Sequence, residues 1–150
     1  MVRLPKKVRD NKSDPIAAPE PVAVRTRFRI LLADDNRDAA ESLATLLELD
    51  GHQLAVVHDG PAAIEAFAAI GPQFALLDIG MPGLNGYEVA RRIRQSHPDS
   101  AAKLVAITGW GRDDDKTRAL EAGFDYHLTK PVELERLTEI IQKLPVPGAL

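Results

Sequence analysis

Four short apolar runs punctuate the chain from residue 28 onward: Ile30-Leu31-Leu32-Ala33, Leu54-Ala55-Val56-Val57, Phe74-Ala75-Leu76-Leu77 and Leu104-Val105-Ala106-Ile107, with a weaker fifth at Tyr126-His127-Leu128. Between them the apolar positions follow a helical period. Ala39, Leu43, Leu46 and Leu47 stand at i, i+4, i+7 and i+8, and Leu134, Leu137, Ile141 and Leu144 at i, i+3, i+7 and i+10, so both stretches predict amphipathic helices. Three further helices are predicted. One runs from Ala62 to Ile70 and buries Ile64 and Phe67, one from Tyr87 to Ser96 buries Val89 and Ile93, and a weaker one from Asp113 to Ala122 offers Ala119 and Leu120. The order is five repeats of strand then helix. Strands that are apolar throughout, rather than alternating, suit a parallel sheet covered on both faces. About 120 residues suit an open α/β sheet better than a closed eightfold barrel.

The first 27 residues break this pattern. They hold Pro5, Pro15, Pro19 and Pro21 among dispersed charges without helical or strand period, which predicts a disordered Pro-rich linker; residues 146–150 read as a flexible tail. The linker carries seven Lys/Arg against three Asp/Glu, so residues 28–150 carry 12 against 19 and the globular part is acidic. An acidic domain argues against a surface that tracks nucleic-acid phosphates, and the basic tail lacks interleaved aromatics. With 150 residues there is room for one such domain. No apolar run nears the roughly 18 residues of a membrane span, and no apolar segment follows the basic start as in a secretory signal. The expectation is a cytoplasmic protein without membrane contact. The absence of cysteine excludes disulfides, thiolate zinc and a cysteine nucleophile.

In an open parallel sheet all strands deliver their carboxyl ends to one edge, and ligands bind there. The first strand ends in Asp34-Asp35, the third in Asp78, the fourth in Thr108 and the fifth in Lys130; the second ends in His58-Asp59-Gly60, a turn with no obvious partner. Three carboxylates gathered together repel one another unless a cation sits among them. A hard divalent ion such as Mg²⁺ takes oxygen ligands and needs no histidine, which agrees with His52, His58, His97 and His127 lying scattered without ligand spacing. Lys130 offers a compact positive charge, and Thr108 a hydroxyl, to an incoming phosphoryl group. An aspartate carboxylate can accept that group as an aspartyl phosphate, and Asp78, central among the strands, is the best placed acceptor.

These stretches carry a resemblance. Ile30-Leu31-Leu32-Ala33-Asp34-Asp35-Asn36, Leu76-Leu77-Asp78-Ile79-Gly80-Met81-Pro82-Gly83-Leu84-Asn85-Gly86-Tyr87-Glu88, Ala106-Ile107-Thr108-Gly109 and Leu128-Thr129-Lys130-Pro131 resemble the receiver domain of two-component response regulators, over residues 28–145. The spacings agree: 43 residues from Asp35 to Asp78, 30 from there to Thr108 and 22 more to Lys130. The resemblance implies a flavodoxin-like five-stranded parallel sheet in the order 2-1-3-4-5 with helices on both faces. It implies Asp78 as acceptor from a kinase histidine and Mg²⁺ held by Asp35, Asp78 and the Gly80 carbonyl, with Asp34 helping through water. It also implies a cis Lys130-Pro131 bond. Receivers usually carry Tyr or Phe three residues before the lysine as a switch partner of the Thr; here that position is His127, which makes a polar partner, Thr108 or a loop carbonyl, the expectation.

Other readings are weaker on the residues. Asp34-Asp35-Asn36 on its own reads as a helix N-cap, and Asp113-Asp114-Asp115 reads as a helix start that complements the dipole. Trp110 follows Thr108 by two positions and is a candidate shield over the phosphoryl group. A dinucleotide site needs a Gly-rich turn where Asp34-Asp35-Asn36-Arg37 stands. An aspartate phosphohydrolase carries a second acid two residues after the nucleophile, which Asn36-Arg37 does not supply. A receiver that only binds proteins is expected to lack one of the acids or the lysine, and this chain lacks none. The expected role is therefore a phosphoacceptor that assists its own phosphorylation and dephosphorylation, not a separate enzyme. Its expected partner is a histidine kinase or histidine phosphotransfer protein, and a monomer is favoured. Val2-Arg3-Leu4-Pro5 looks like the end of a kinase ATP-binding domain. With the linker behind it, the expected context is the C-terminal receiver of a hybrid histidine kinase, the alternative being a stand-alone regulator.

Overall fold

The computed structural model describes residues 27–109 and 113–143, with the backbone alone for 113–116. Leading each helix is one of five strands, β1 (Arg29–Ala33), β2 (Gln53–Val57), β3 (Phe74–Asp78), β4 (Lys103–Thr108) and β5 (Tyr126–Thr129). The helices are α1 (Arg37–Leu49), α2 (Gly60–Ile70), α3 (Gly86–Ser96), α4 (Asp113–Ala122) and α5 (Leu134–Gln142). All strand pairs are parallel and their order is β2-β1-β3-β4-β5, as the resemblance implies. The linker and tail expectations, Trp110 and Leu144 fall outside the described residues.

Alternate side chains of each strand feed two cores. Leu31, Ala33, Ala75, Leu77, Leu104 and Ala106 pack toward α2, α3 and α4, whereas Ile30, Leu32, Phe74, Leu76, Val105 and Ile107 pack toward α1 and α5. This is why β3 reads as an unbroken apolar run: it is buried at every position. Each fully buried leucine or isoleucine contributes about 1.5–3 kcal/mol relative to exposure.

Two helix faces differ from the sequence reading. In α1 the buried stripe is Ala40, Ala44 and Leu47, while Ala39 and Leu46 face outward and Leu43 is half-buried. Small alanines let the helix approach the sheet closely, so the stripe nearest the strands is set by size as well as by apolarity. In α4 Ala119 is buried but Leu120 is 68% exposed, for the same reason. In α2, Ala63 and Phe67 are buried and Ile64 only partly so; α3 buries Val89 and Ile93 as expected, together with Tyr87 and Ala90.

Local chemistry sets the helix starts at the carboxyl edge of the sheet. The side chains of Asn36, Asp59 and Asn85 accept from the N–H groups of Ala39, Ala62 and Glu88 at 3.1, 2.8 and 3.1 Å, each an N-cap. The cap of α1 is thus Asn36, which leaves Asp34 and Asp35 for other work. At α3 the first residue must be glycine: a Cβ on Gly86 would lie 2.7 Å from the Asp78 carbonyl oxygen and 2.8 Å from Ile79 Cα. This close approach seats α3 directly on the backbone that carries Asp78.

The opposite edge is closed by Arg94. Its Nε donates to the Gly123 carbonyl at 2.9 Å, one terminal nitrogen to the Ala102 carbonyl at 3.1 Å and the other to Asp125 Oδ2 at 2.7 Å. Asp125 Oδ2 also accepts the Leu104 N–H at 2.9 Å. The guanidinium therefore ties α3 to the entry points of β4 and β5.

Candidate phosphoacceptor site

Parallel register places the strand ends side by side. Ala33 pairs with Val57 and Leu77, and Asp78 with Ile107, so Asp34, Asp35, Asp78 and Thr108 emerge together. Carboxylate oxygens of Asp34, Asp35 and Asp78 all lie within 4.8 Å of one another. Asp34 and Asp78 are 5% and 3% exposed, whereas Asp35 faces solvent. Lys130 Nζ, carried past the end of β5, lies 3.1 Å from Asp78 Oδ2 and 3.8 Å from Asp34 Oδ2. The Lys130-Pro131 bond is cis, as the resemblance implies.

Main-chain donors complete the acids. Asn36 N–H donates to Asp34 Oδ1 at 2.9 Å and Gly80 N–H to Asp78 Oδ1 at 3.0 Å. Burial pushes the Asp34 carboxyl up to about 6, opposed by the Asn36 hydrogen bond, reinforced by the hydrogen bond and charge of Asp78, and moderated by Lys130. For Lys130, burial works against the charged form, but the hydrogen bond and charge of Asp78, followed by the charges of Asp34 and Asp35, outweigh it and raise its pKa. The cluster thus holds excess negative charge that one ammonium does not balance.

That donor set fits a hard divalent ion: carboxylate oxygens from three residues, two of them buried, without nitrogen or sulfur. Gly80 follows Asp78 by two positions, and a Cβ there would stand 3.7 Å from Asp78 Oδ1, so the approach to the acid is open on that side.

Thr108 is buried, and its Oγ1 lies 3.1 Å from His127 Nε2. His127 pairs in register with Ala106, two positions before Thr108, which puts the ring on the same face as the hydroxyl. Tyr126 packs toward the opposite core, with α1 and α5. His58 was a residue without a partner in the sequence, yet its Nδ1 lies 2.9 Å from the Asp34 carbonyl oxygen. The signal was available: once β1 and β2 are parallel with Ala33 opposite Val57, the residues that follow them must be neighbours.

An open, doubly wound parallel sheet that gathers three carboxylates, a hydroxyl and an ammonium at its carboxyl edge defines an α/β domain with a charged ligand edge. Residues 30–142 match the family model of the response regulator receiver domain, and the chain belongs to that family, which works in two-component signalling. Response regulator MprA of Mycobacterium ulcerans (strain Agy99) is 37% identical over 109 residues, covering 73% of this chain and 46% of that protein. The uncharacterized transcriptional regulatory protein YkoG of Bacillus subtilis (strain 168) is 35% identical over 108 residues, covering 72% and 46%. The chain spans about half the length of the curated relatives it matches. Among solved structures, the CheY-like receiver domain protein from Methanospirillum hungatei JF-1 superimposes with a TM-score of 0.71 at 26% identity, covering 77% of this chain and 90% of that one. The co-crystal structure of the Saccharomyces cerevisiae histidine phosphotransfer protein Ypd1 and the receiver domain of its downstream regulator Ssk1 gives 0.76 at 25% identity, covering 79% and 89%. Among the described residues no helix is long and apolar enough to cross a membrane.

Proposed function

We propose that this chain accepts a phosphoryl group on Asp78 from the phosphohistidine of a histidine kinase or histidine phosphotransfer protein. The carrying observation is the placement of Lys130 Nζ 3.1 Å from Asp78 Oδ2 within a cluster of three carboxylates. A carboxylate oxygen of Asp78 attacks phosphorus, the P–O bond forms, and the P–N bond breaks with its electron pair left on the imidazole nitrogen. Lys130 offsets charge on the transferring group, and the Thr108 hydroxyl is the second donor at the same edge. Asp35, Asp78 and the Gly80 carbonyl are the Mg²⁺ ligands in this reading, with Asp34 acting through water. Bound there, the ion offsets the carboxylate repulsion and the negative charge of the phosphoryl oxygens. In this reading a cytoplasmic kinase or phosphotransfer partner delivers the group, a role supported by the likeness to the Ssk1 receiver. Signal then leaves by protein contact.

The test is phosphate incorporation from acetyl phosphate with Mg²⁺. It should vanish in Asp78→Asn and fall steeply in Asp35→Asn; labelling of Asp78→Asn at the wild-type level would overturn the reading. The wider context we propose is the C-terminal receiver of a hybrid histidine kinase. The sequence supports it through Val2-Arg3-Leu4-Pro5 and the Pro-rich composition that follows. An in-frame kinase core upstream in the genome is the expected finding, and a stop codon with a ribosome site just before Met1 would favour a stand-alone regulator.

A further inference from the structure

The loop that carries Asp34 and Asp35 is held at both ends of the Asp34 backbone by the last residue of β2 and the residue that follows it. Asp34 N–H donates to the Val57 carbonyl at 3.1 Å, and the Asp34 carbonyl oxygen faces His58 Nδ1 at 2.9 Å. A carbonyl only accepts, so the second contact is a hydrogen bond with the proton on Nδ1. The two bonds do different jobs. The first continues the β1–β2 ladder, whereas the second holds the peptide unit that joins Asp34 to Asp35, which is planar and rigid, so fixing its C=O fixes the bearing from which residue 35 departs.

This matters more for Asp35 than for Asp34. The Asp34 carboxylate has its own anchors in the Asn36 N–H at 2.9 Å and Lys130 at 3.8 Å. Among the described residues no hydrogen bond or ion pair within 4 Å reaches the exposed Asp35 carboxylate, which Lys130 attracts only through its charge at longer range, so its place within 4.8 Å of Asp34 and Asp78 rests mainly on the backbone beneath it. We infer that His58 is a positioning residue for the divalent-ion site: its Nδ1–H holds the Asp34-Asp35 peptide plane and so keeps the Asp35 carboxylate in ligating reach of Asp78. The inference rests on the proposed reading of this cluster as a Mg²⁺ site. His58 itself touches neither ion nor phosphoryl group. Losing its bond frees one carbonyl in a half-buried loop and lets the plane rotate, which spreads Asp35 over positions that no longer ligate together with Asp78.

The experiment compares the wild type with His58→Ala and His58→Asn, whose side-chain amide nitrogen stands in for Nδ1–H. Mg²⁺ alone is titrated by calorimetry, and imidazole ¹⁵N shifts of the metal-free wild type report the tautomer. The expected results are an Nδ1–H ring, a Mg²⁺ Kd about fivefold weaker in His58→Ala, and recovery to within about twofold in His58→Asn. In acetyl phosphate labelling the change should appear in the Mg²⁺ concentration for half-maximal rate, not in the maximal rate. Equal Mg²⁺ affinity in His58→Ala and wild type, or a ring protonated on Nε2 alone, overturns the inference and leaves the phosphoacceptor reading standing. A wild type that binds no Mg²⁺ overturns that reading first. Should His58→Ala fail to fold, the tautomer and His58→Asn decide the matter.

Discussion

Thr108 Oγ1 and His127 Nε2 stand 3.1 Å apart, joining the hydroxyl at the end of β4 to a ring on β5. The bond can run either way. If the hydroxyl donates to a bare Nε2, its proton is engaged away from Asp78, and a phosphoryl group must compete for it. If Nε2–H donates, Thr108 accepts from the ring and remains able to donate to the phosphoryl group, so the ring need not move. An aromatic hydrocarbon ring at this position makes neither arrangement.

The consequence is a muted conformational response. On adding beryllofluoride, which mimics a phosphoryl group on Asp78, amide shift changes should concentrate in the loops after β3 and β4 and be weak over Leu128 to Lys143. His127→Phe should extend them into α5. Strong changes across Leu128 to Lys143 that persist in His127→Ala would make His127 a bystander.

Acid should weaken Mg²⁺ binding. With the Asp34 carboxyl near 6, lowering the pH from about 7.5 to 5 leaves most of it protonated, and the apparent affinity should drop about tenfold. The sign for metal-free stability follows from the same shift. The folded state holds the Asp34 proton more tightly than the unfolded chain, so this contribution is present below the unfolded value near 3.8 and lost as the pH rises through about 6. Asp34→Asn should abolish both dependences relative to wild type, read by calorimetry and by denaturation across that window.

A methyl group at the start of α3 should be costly. Gly86→Ala would set its Cβ against the main chain of Asp78 and Ile79, which no side-chain rotation relieves. The expected loss is about 1–3 kcal/mol in urea denaturation. Phosphate incorporation should slow as well, because the segment forced aside carries Asp78, the proposed acceptor.

Arg94→Ala tests the separation of stability from chemistry. It removes the bonds to the carbonyls of Gly123 and Ala102 and the pair with Asp125, for an expected loss of about 2 kcal/mol. Since these contacts lie at the amino-terminal edge of the sheet, labelling of Asp78 below the melting temperature should match wild type.

Much of this was legible in the sequence because continuous apolar strands and helical spacing need only one-dimensional order. The α4 bounds and the carboxyl-edge gathering of Asp34, Asp35, Asp78, Thr108 and Lys130 follow from it. What escaped depends on size or on register. Ala40 and Ala44, not Ala39 and Leu46, meet the sheet because close approach rewards small residues, a preference that hydrophobicity does not rank. His58 acts across strands, so its partner exists only once Ala33 faces Val57, whereas the Thr108 partner of His127 was expected from the polar ring, and the pairing of Ala106 with His127 puts the two on one face. Arg94 is a charged residue on a helix, and nothing in its spacing announces two carbonyls and an aspartate from later in the chain.

The strand order allots these parts unequally. β1, β3 and β4, each bonded on both sides, hold the acids and the hydroxyl, whereas β2 and β5 have one neighbour apiece and supply His58, His127 and Lys130. The acids and the hydroxyl are mounted on the stiff middle of the sheet and the two histidines on its margins, with Lys130 the one proposed reactive group that a margin supplies. A margin can be retuned with little disturbance to the interior, so divergence among proteins built this way should accumulate at the residues that tilt, brake or release the chemistry sooner than at those that perform it.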